Sequence, residues 1–141
     1  LMGKQNVYEP SVRVPLIVAG PNLPAGAVNE ALCYQHDLHP TLLELAGLPA
    51  GNLFFESLLP VLRGQAKGRG HVVSHYRQWQ RMIRDDRYKL ISYLIDHTRR
   101  EQLFDLHDDP WELHDLAADP AHADRLIFMR LHLPDESGLP V

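Results

Sequence analysis

Gln80-Arg81-Met82-Ile83-Arg84-Asp85-Asp86-Arg87-Tyr88-Lys89-Leu90-Ile91-Ser92-Tyr93-Leu94-Ile95 is the stretch that decides how the C-terminal half is built. Residues 80–84 and 88–95 read as strands, and Asp85-Asp86 between them reads as a two-residue turn, so the spacing predicts a hairpin. His71–Tyr76 before it and Glu101–Leu106 after it have the same character, which gives about four antiparallel strands. Asp108-Asp109-Pro110 stops the last strand, and Pro110–Ala117 is expected to form a helical turn. Asp119-Pro120 is an N-cap followed by proline at the first helical position. Ala123, Leu126, Ile127, Arg130 and Leu131 then continue a helix that can lie across one face of the sheet. Residues 134–141 read as a polar tail that frays.

Upstream of the sheet the pattern is different. Val12–Gly20 is an apolar, β-branched run of the kind that forms a strand covered on both faces in an α/β sheet. Pro15 marks its entry, and Pro21, Pro24 and Gly26 mark a loop beyond it. Asp37–Ala46 reads as a helix, with Asp37 as N-cap, Pro40 in the first turn, Gly47 as C-cap and Pro49 just after. Leu58–Arg63 is a short helical turn ending at Gly64, and residues 64–70 are a flexible polar connection. The organisation is therefore an α/β piece over 1–63, a linker over 64–70 and an antiparallel-sheet subdomain with one packed helix over 71–141. A lone buried-type strand has no sheet to join within 1–63, and exposed it would be an aggregation hazard. Together with a first residue that is Leu, this leads us to expect an upstream part of the same fold.

Composition removes several function classes. The 141 residues carry 14 Lys plus Arg against 18 Asp plus Glu, a net charge of −4, whereas a general nucleic-acid binder needs a basic surface. Hydrophobic residues are 45% and charged residues 23%, the balance of an ordinary globular domain. The apolar runs are far shorter than the ~20 residues of a membrane span. One cysteine, Cys33, excludes an internal disulfide framework and a Cys-rich zinc site in this chain.

Candidate residues each have a plain alternative. His36, Asp37 and His39 could ligate a metal, but they flank a helix start and no third ligand is indicated. Asp105, Asp108 and Asp109 lack the glycine and bidentate Glu of a calcium loop, and aspartates serving their own turn explain them more simply. Cys33 has no particular histidine placed beside it, so packing is the simpler role. His75, Tyr76, Arg77 and Trp79 sit at a strand end and could contact an anionic or sugar-like substrate, or be ordinary alternating surface.

Three segments together resemble the type I, formylglycine-dependent sulfatases, the arylsulfatase-like branch of the alkaline phosphatase superfamily. The first is Gly3-Lys4-Gln5-Asn6-Val7-Tyr8-Glu9-Pro10-Ser11-Val12-Arg13-Val14-Pro15-Leu16-Ile17-Val18-Ala19-Gly20-Pro21, and the second runs from Asp37 to Pro49. The third runs from Arg81 to Ile91, through Gln102-Leu103-Phe104-Asp105-Leu106, and closes with Asp108–Ala117. Order and spacing match over residues 3–120. One departure is Asn52-Leu53-Phe54-Phe55-Glu56-Ser57-Leu58-Leu59-Pro60, which adds apolar bulk where the family has a Gly-Arg/Lys-Ser-Leu-like stretch before the short helix.

The resemblance implies that residues 1–63 end an alkaline phosphatase-like central sheet and that 71–141 are the family's C-terminal subdomain. It gives Lys4 the role of the catalytic lysine that contacts the substrate sulfate. Cys33 is not the formylglycine precursor, because it does not stand in Cys-x-Pro-Ser-Arg. The implied metal, calcium or magnesium, and the formylglycine both belong upstream of Leu1, so no cofactor is expected in the fragment, and the fragment alone is expected to be inactive. The substrate expected for the full-length enzyme is a sulfated small molecule or carbohydrate. Family members are often exported or lysosomal, and any signal would lie upstream. Two other readings compete: a phosphonate or phosphate monoester hydrolase within the superfamily, and a non-catalytic interaction or carbohydrate-contacting module.

Overall fold

The computed structural model describes residues 5–49, 55–96 and 98–134, and they divide into two compact units. One contains residues 5–15 and 73–134, the other residues 16–72. The elements run α1 (Glu9–Val12), α2 (Leu38–Leu45), α3 (Leu59–Leu62), β1 (Val72–Tyr76), β2 (Gln80–Arg84), β3 (Tyr88–Ile95), β4 (Thr98–Asp105) and α4 (Ala123–His132). A single 3-10 turn precedes α2 at Gln35–Asp37 and another precedes α4 at Pro120–His122.

In the first unit the four strands lie in the order β1-β2-β3-β4, with β2–β3 and β3–β4 antiparallel. The hairpin closes one residue later than the expected turn. Asp85 N donates to Tyr88 O at 3.0 Å, so Asp86-Arg87 form the bend, and the Asp85 carboxylate accepts from the backbone N–H of both Arg87 and Tyr88. That side-chain bonding is why an aspartate leads the turn.

Register sorts the side chains onto two faces. Ile83 pairs with Leu90 and Leu90 with Leu103, and these three form one cluster with Leu126 and Met129 of α4. The helix covers that face as its amphipathic pattern requires. Pro120 starts it, and Asp119 caps the turn by accepting from Ala121 N at 2.9 Å. The opposite face holds Met82, Ile91 and Phe104, and it is Val7 that completes this second cluster. Truncating Leu90 or Ile91, both fully buried, would cost about 2–5 kcal/mol.

Two expected elements do not form. Val12–Gly20 is not a strand: α1 ends at Val12, Arg13 turns to extended backbone, and no described residue pairs with 13–20 in a ladder. A β-strand is defined by its neighbour, and none is supplied to this run; Ile17 is 92% exposed. Pro110–Ala117 is a series of turns rather than a helical turn. Asp109 and Asp115 compete for the backbone there, accepting from His114 N, Ala117 N and Leu103 N.

The second unit is organised around Asp37, which is completely buried. Its carboxylate accepts from Tyr34 N at 2.7 Å, Glu56 N at 3.2 Å and Arg69 Nη2 at 2.5 Å. Thr41 Oγ1 donates to Asp37 O and accepts from Leu58 N, which fixes α2 beside the start of α3. Residues 64–70 are therefore not a free polar connection: Arg69 ion-pairs with Asp37 and bridges to Leu32. Gly68, at φ +86°, passes so close to Ala31 that a Cβ would sit 2.9 Å from its Cβ. Helix α2 buries Pro40 and Thr41 but leaves Leu42 63% exposed.

Candidate functional site

The second face of the sheet sets polar residues beside the Met82–Ile91–Phe104 cluster, and residues from 5–12 pack on it. Along β3, Lys89 and Ile91 share a face by the two-residue period; Lys89 pairs with Arg84 and Phe104, and Ile91 with Met82 and Gln102. Burying that many polar groups is costly unless each has a partner. The N-terminal segment brings the partners.

Glu9 is the centre of this arrangement. Lys89 Nζ, with no exposure, lies 3.0 Å from Glu9 Oε1 and 2.8 Å from Glu112 Oε1. Arg84 Nη1 lies 2.5 Å from Glu9 Oε2, and the backbone N–H of Glu9 donates to Glu112 Oε2 at 2.6 Å. The Lys89–Glu112 contact is an ion pair by distance without hydrogen-bond alignment, since Glu112 Oε1 has no hydrogen-bond partner. Two carboxylates and two cations leave the group neutral, the condition under which buried charges persist. Glu112 reaches it from a left-handed backbone at φ +58°, a strain of about 1–3 kcal/mol that the ion pair holds in place.

Beside the charges, the hydroxyls of Tyr8 and Tyr93 donate to Gln102 Oε1 at 2.6 and 2.8 Å and lie 3.0 Å from each other. Burial first, then the bond to Tyr8, pushes the Tyr93 hydroxyl well above the usual tyrosine range, so it stays protonated. Gln80 Nε2 donates to Gln5 O at 3.5 Å. The segment is thus fixed from Gln5 to Glu9. Sequence reasoning missed Glu9, Arg84, Lys89 and Glu112; the one available signal was a lysine next to the apolar run Leu90-Ile91 in a strand that must be buried.

The turn between β1 and β2 carries the aromatic and basic cluster. Arg77 adopts φ +50°, and its guanidinium lies 4.9 Å from the Trp79 ring centroid and 5.6 Å from that of Tyr76. The two rings are 6.2 Å apart. His75 lies in the same strand end, exposed.

Lys4 lies outside the described residues, as do residues 51–54 and the tail from 135. His36 stacks on Phe55 with 4.8 Å between centroids, and Tyr34 meets Phe55 edge-on at 6.2 Å. This gives the apolar departure a packing role at Phe55. His39 is exposed, and every Asp37 contact described above is to the protein. Asp105 is held by Arg87 at 2.6–3.0 Å and also accepts from His107 N, so it serves its turn. Desolvation, then the Asp37 charge, raise the Cys33 thiol pKa, the opposite of an activated nucleophile. Among the described residues no group of three or more His, Cys, Asp or Glu could hold a metal ion, and no helix is long and apolar enough to cross a membrane.

Residues 1–136 match the family described as N-sulphoglucosamine sulphohydrolase, C-terminal. The chain belongs to this sulfatase family. Among relatives of this sulfatase chain, human arylsulfatase K is 33% identical over 128 residues, covering 81% of this chain and 24% of its own length. Delta 4,5-hexuronate-2-O-sulfatase of Bacteroides thetaiotaomicron is 36% identical over 142 residues, covering 91% of this chain and 29% of its own. The solved structure of a 2-O GAG sulfatase superposes with a TM-score of 0.67 at 35% identity, over 81% of this chain and 27% of that one. The chain spans about a quarter of the length of the curated relatives it matches. It is a sulfatase C-terminal region with the expected four-stranded sheet and packed helix.

Proposed function

We propose that this chain is the C-terminal part of an enzyme that hydrolyses sulfate esters of a saccharide, with Lys4 contacting the transferred sulfate. The observation that supports this reading is the anchoring of the segment that follows Lys4 in sequence: buried bonds hold Glu9 to the sheet, and an exposed bond of 3.5 Å joins Gln5 to Gln80. Cleavage of a sulfate ester gathers negative charge on the sulfuryl oxygens and on the leaving oxygen. A compact ammonium fixed beside them stabilises that charge in proportion to how little it must reorganise. A segment held by neutral, buried ion pairs is suited to supply such rigidity.

The nucleophile, a formylglycine, and a calcium or magnesium ion that would polarise the same oxygens are proposed to come from residues preceding Leu1. The uncovered apolar side chains of residues 16–48, Ile17 at 92% and Leu42 at 63% exposure, support a unit that packs on further chain. On this reading, residues 1–141 alone turn over no sulfate ester.

The test is steady-state hydrolysis by the full-length protein of a sulfated disaccharide and of a phosphonate monoester, with residues 1–141 assayed beside it. Preference for the sulfate ester, with none by residues 1–141, is the expected result. Preference for the phosphonate ester would replace the reaction, and activity in residues 1–141 would overturn the division of labour.

A further inference from the structure

The β1–β2 turn presents a cation that the sulfate-ester reading does not use. Arg77 is exposed and, like Arg13, Arg63, Arg81, Arg99 and Arg100, has no carboxylate partner among the described residues, whereas Arg69, Arg84, Arg87, Arg125 and Arg130 each pair with an acid; what sets Arg77 apart is its aromatic platform. Its charge is instead held over Trp79 and Tyr76. A cation–π contact uses the charge and leaves the N–H donors for a ligand.

The platform beneath it is fixed. Tyr76 packs against the buried cluster that contains Val7, and Trp79 O accepts from Leu94 N at 2.9 Å. The Trp79 side chain is still 43% exposed, enough to offer an apolar edge to the C–H groups of a sugar ring. The next residue, Gln80, bonds Gln5 O, so the turn adjoins the backbone that continues from Lys4. A guanidinium free of carboxylates, an exposed indole and Gln5, the residue that follows Lys4 in sequence, are thereby brought into one unit.

We infer that Arg77, backed by Tyr76 and Trp79, is a subsite for a second anionic group on the saccharide, a carboxylate or another sulfate, beside the ester that is cleaved. This rests on the sulfate-ester reading and deepens it to an acidic saccharide as substrate. The guanidinium fork matches either oxyanion through paired N–H bonds.

The experiment compares full-length wild type with Arg77→Met and Arg77→Lys. Met keeps the stem and the non-glycine backbone but removes the charge. Three substrates are used: a monosulfated disaccharide bearing a uronic carboxylate, a disulfated neutral disaccharide, and 4-nitrophenyl sulfate, which has no second anion. The expected result is a fall of at least ~10-fold in kcat/KM for Arg77→Met on one of the disaccharides, mainly through KM, with 4-nitrophenyl sulfate within about twofold. Arg77→Lys falls between, and the disaccharide affected identifies the anion. Equal losses on all three substrates, or none on any, would overturn the subsite. Calorimetric binding of the two product disaccharides, each lacking the ester sulfate, separates this inference from the reading it rests on. Loss of binding by Arg77→Met in a protein that cleaves no sulfate ester would sustain the subsite and refute the reaction; unchanged binding would refute the subsite.

Discussion

Lys89 Nζ stands 3.0 Å from Glu9 Oε1, across 80 residues of sequence, with both side chains buried. This pair joins the segment after Lys4 to the start of β3, an interior strand of the sheet. Its neutrality depends on Glu112 and Arg84 as well, so the four residues form one unit.

Lys89→Met therefore leaves two buried carboxylates with Arg84 as their remaining cation. Breaking a buried pair from one side costs about 3–5 kcal/mol, and that is the loss expected in urea unfolding of the full-length protein. The double variant Lys89→Met with Glu112→Gln should recover part of it, because one unpaired charge is gone. A single-variant loss below about 1 kcal/mol would show that the pair does not bear on stability.

Much of this was legible in the sequence, and the failures have physical causes. The strands and α4 were readable because local alternation, turn aspartates and the Asp119-Pro120 cap all agree with the final packing. The run 12–20 misled because a strand pattern reports burial, and burial depends on what the run packs against. The charge network was invisible because its members lie at 9, 84, 89 and 112, a juxtaposition made only by register and by the return of residues 5–12. Lys4 was assigned by resemblance alone.

Asp105 should give the fold a measurable acid sensitivity. The hydrogen bonds from Arg87 hold its carboxyl below the ordinary carboxylate range. A depressed folded-state pKa means that the unfolded chain takes up the proton first. Its stabilisation is therefore present above the unfolded value of about 3.9 and is lost as pH falls through the folded value. Thermal unfolding from pH 6 to pH 2 should show a shallower acid decline in Asp105→Asn than in wild type. Parallel declines would contradict the assignment.

Two glycines with similar backbone angles should respond differently to alanine. Gly64 has φ +71° and open space where a Cβ would go, so Gly64→Ala should cost about 1 kcal/mol from the left-handed backbone. Gly68, at φ +86°, adds the approach to Ala31 and sits beside Arg69, so Gly68→Ala should cost about 2–4 kcal/mol. Differential scanning of the two variants reads the order directly, and equal losses would mean that the Ala31 contact relaxes freely.

The central claim is that this segment delivers a sulfate-contacting lysine, and the most direct test is kcat/KM of Lys4→Ala in the full-length protein on a sulfated disaccharide. The account predicts a fall of about 100- to 1,000-fold, the size expected for losing one fixed charge-stabilising group, with unfolding unchanged. Unchanged kcat/KM would contradict it and remove Lys4 from the site.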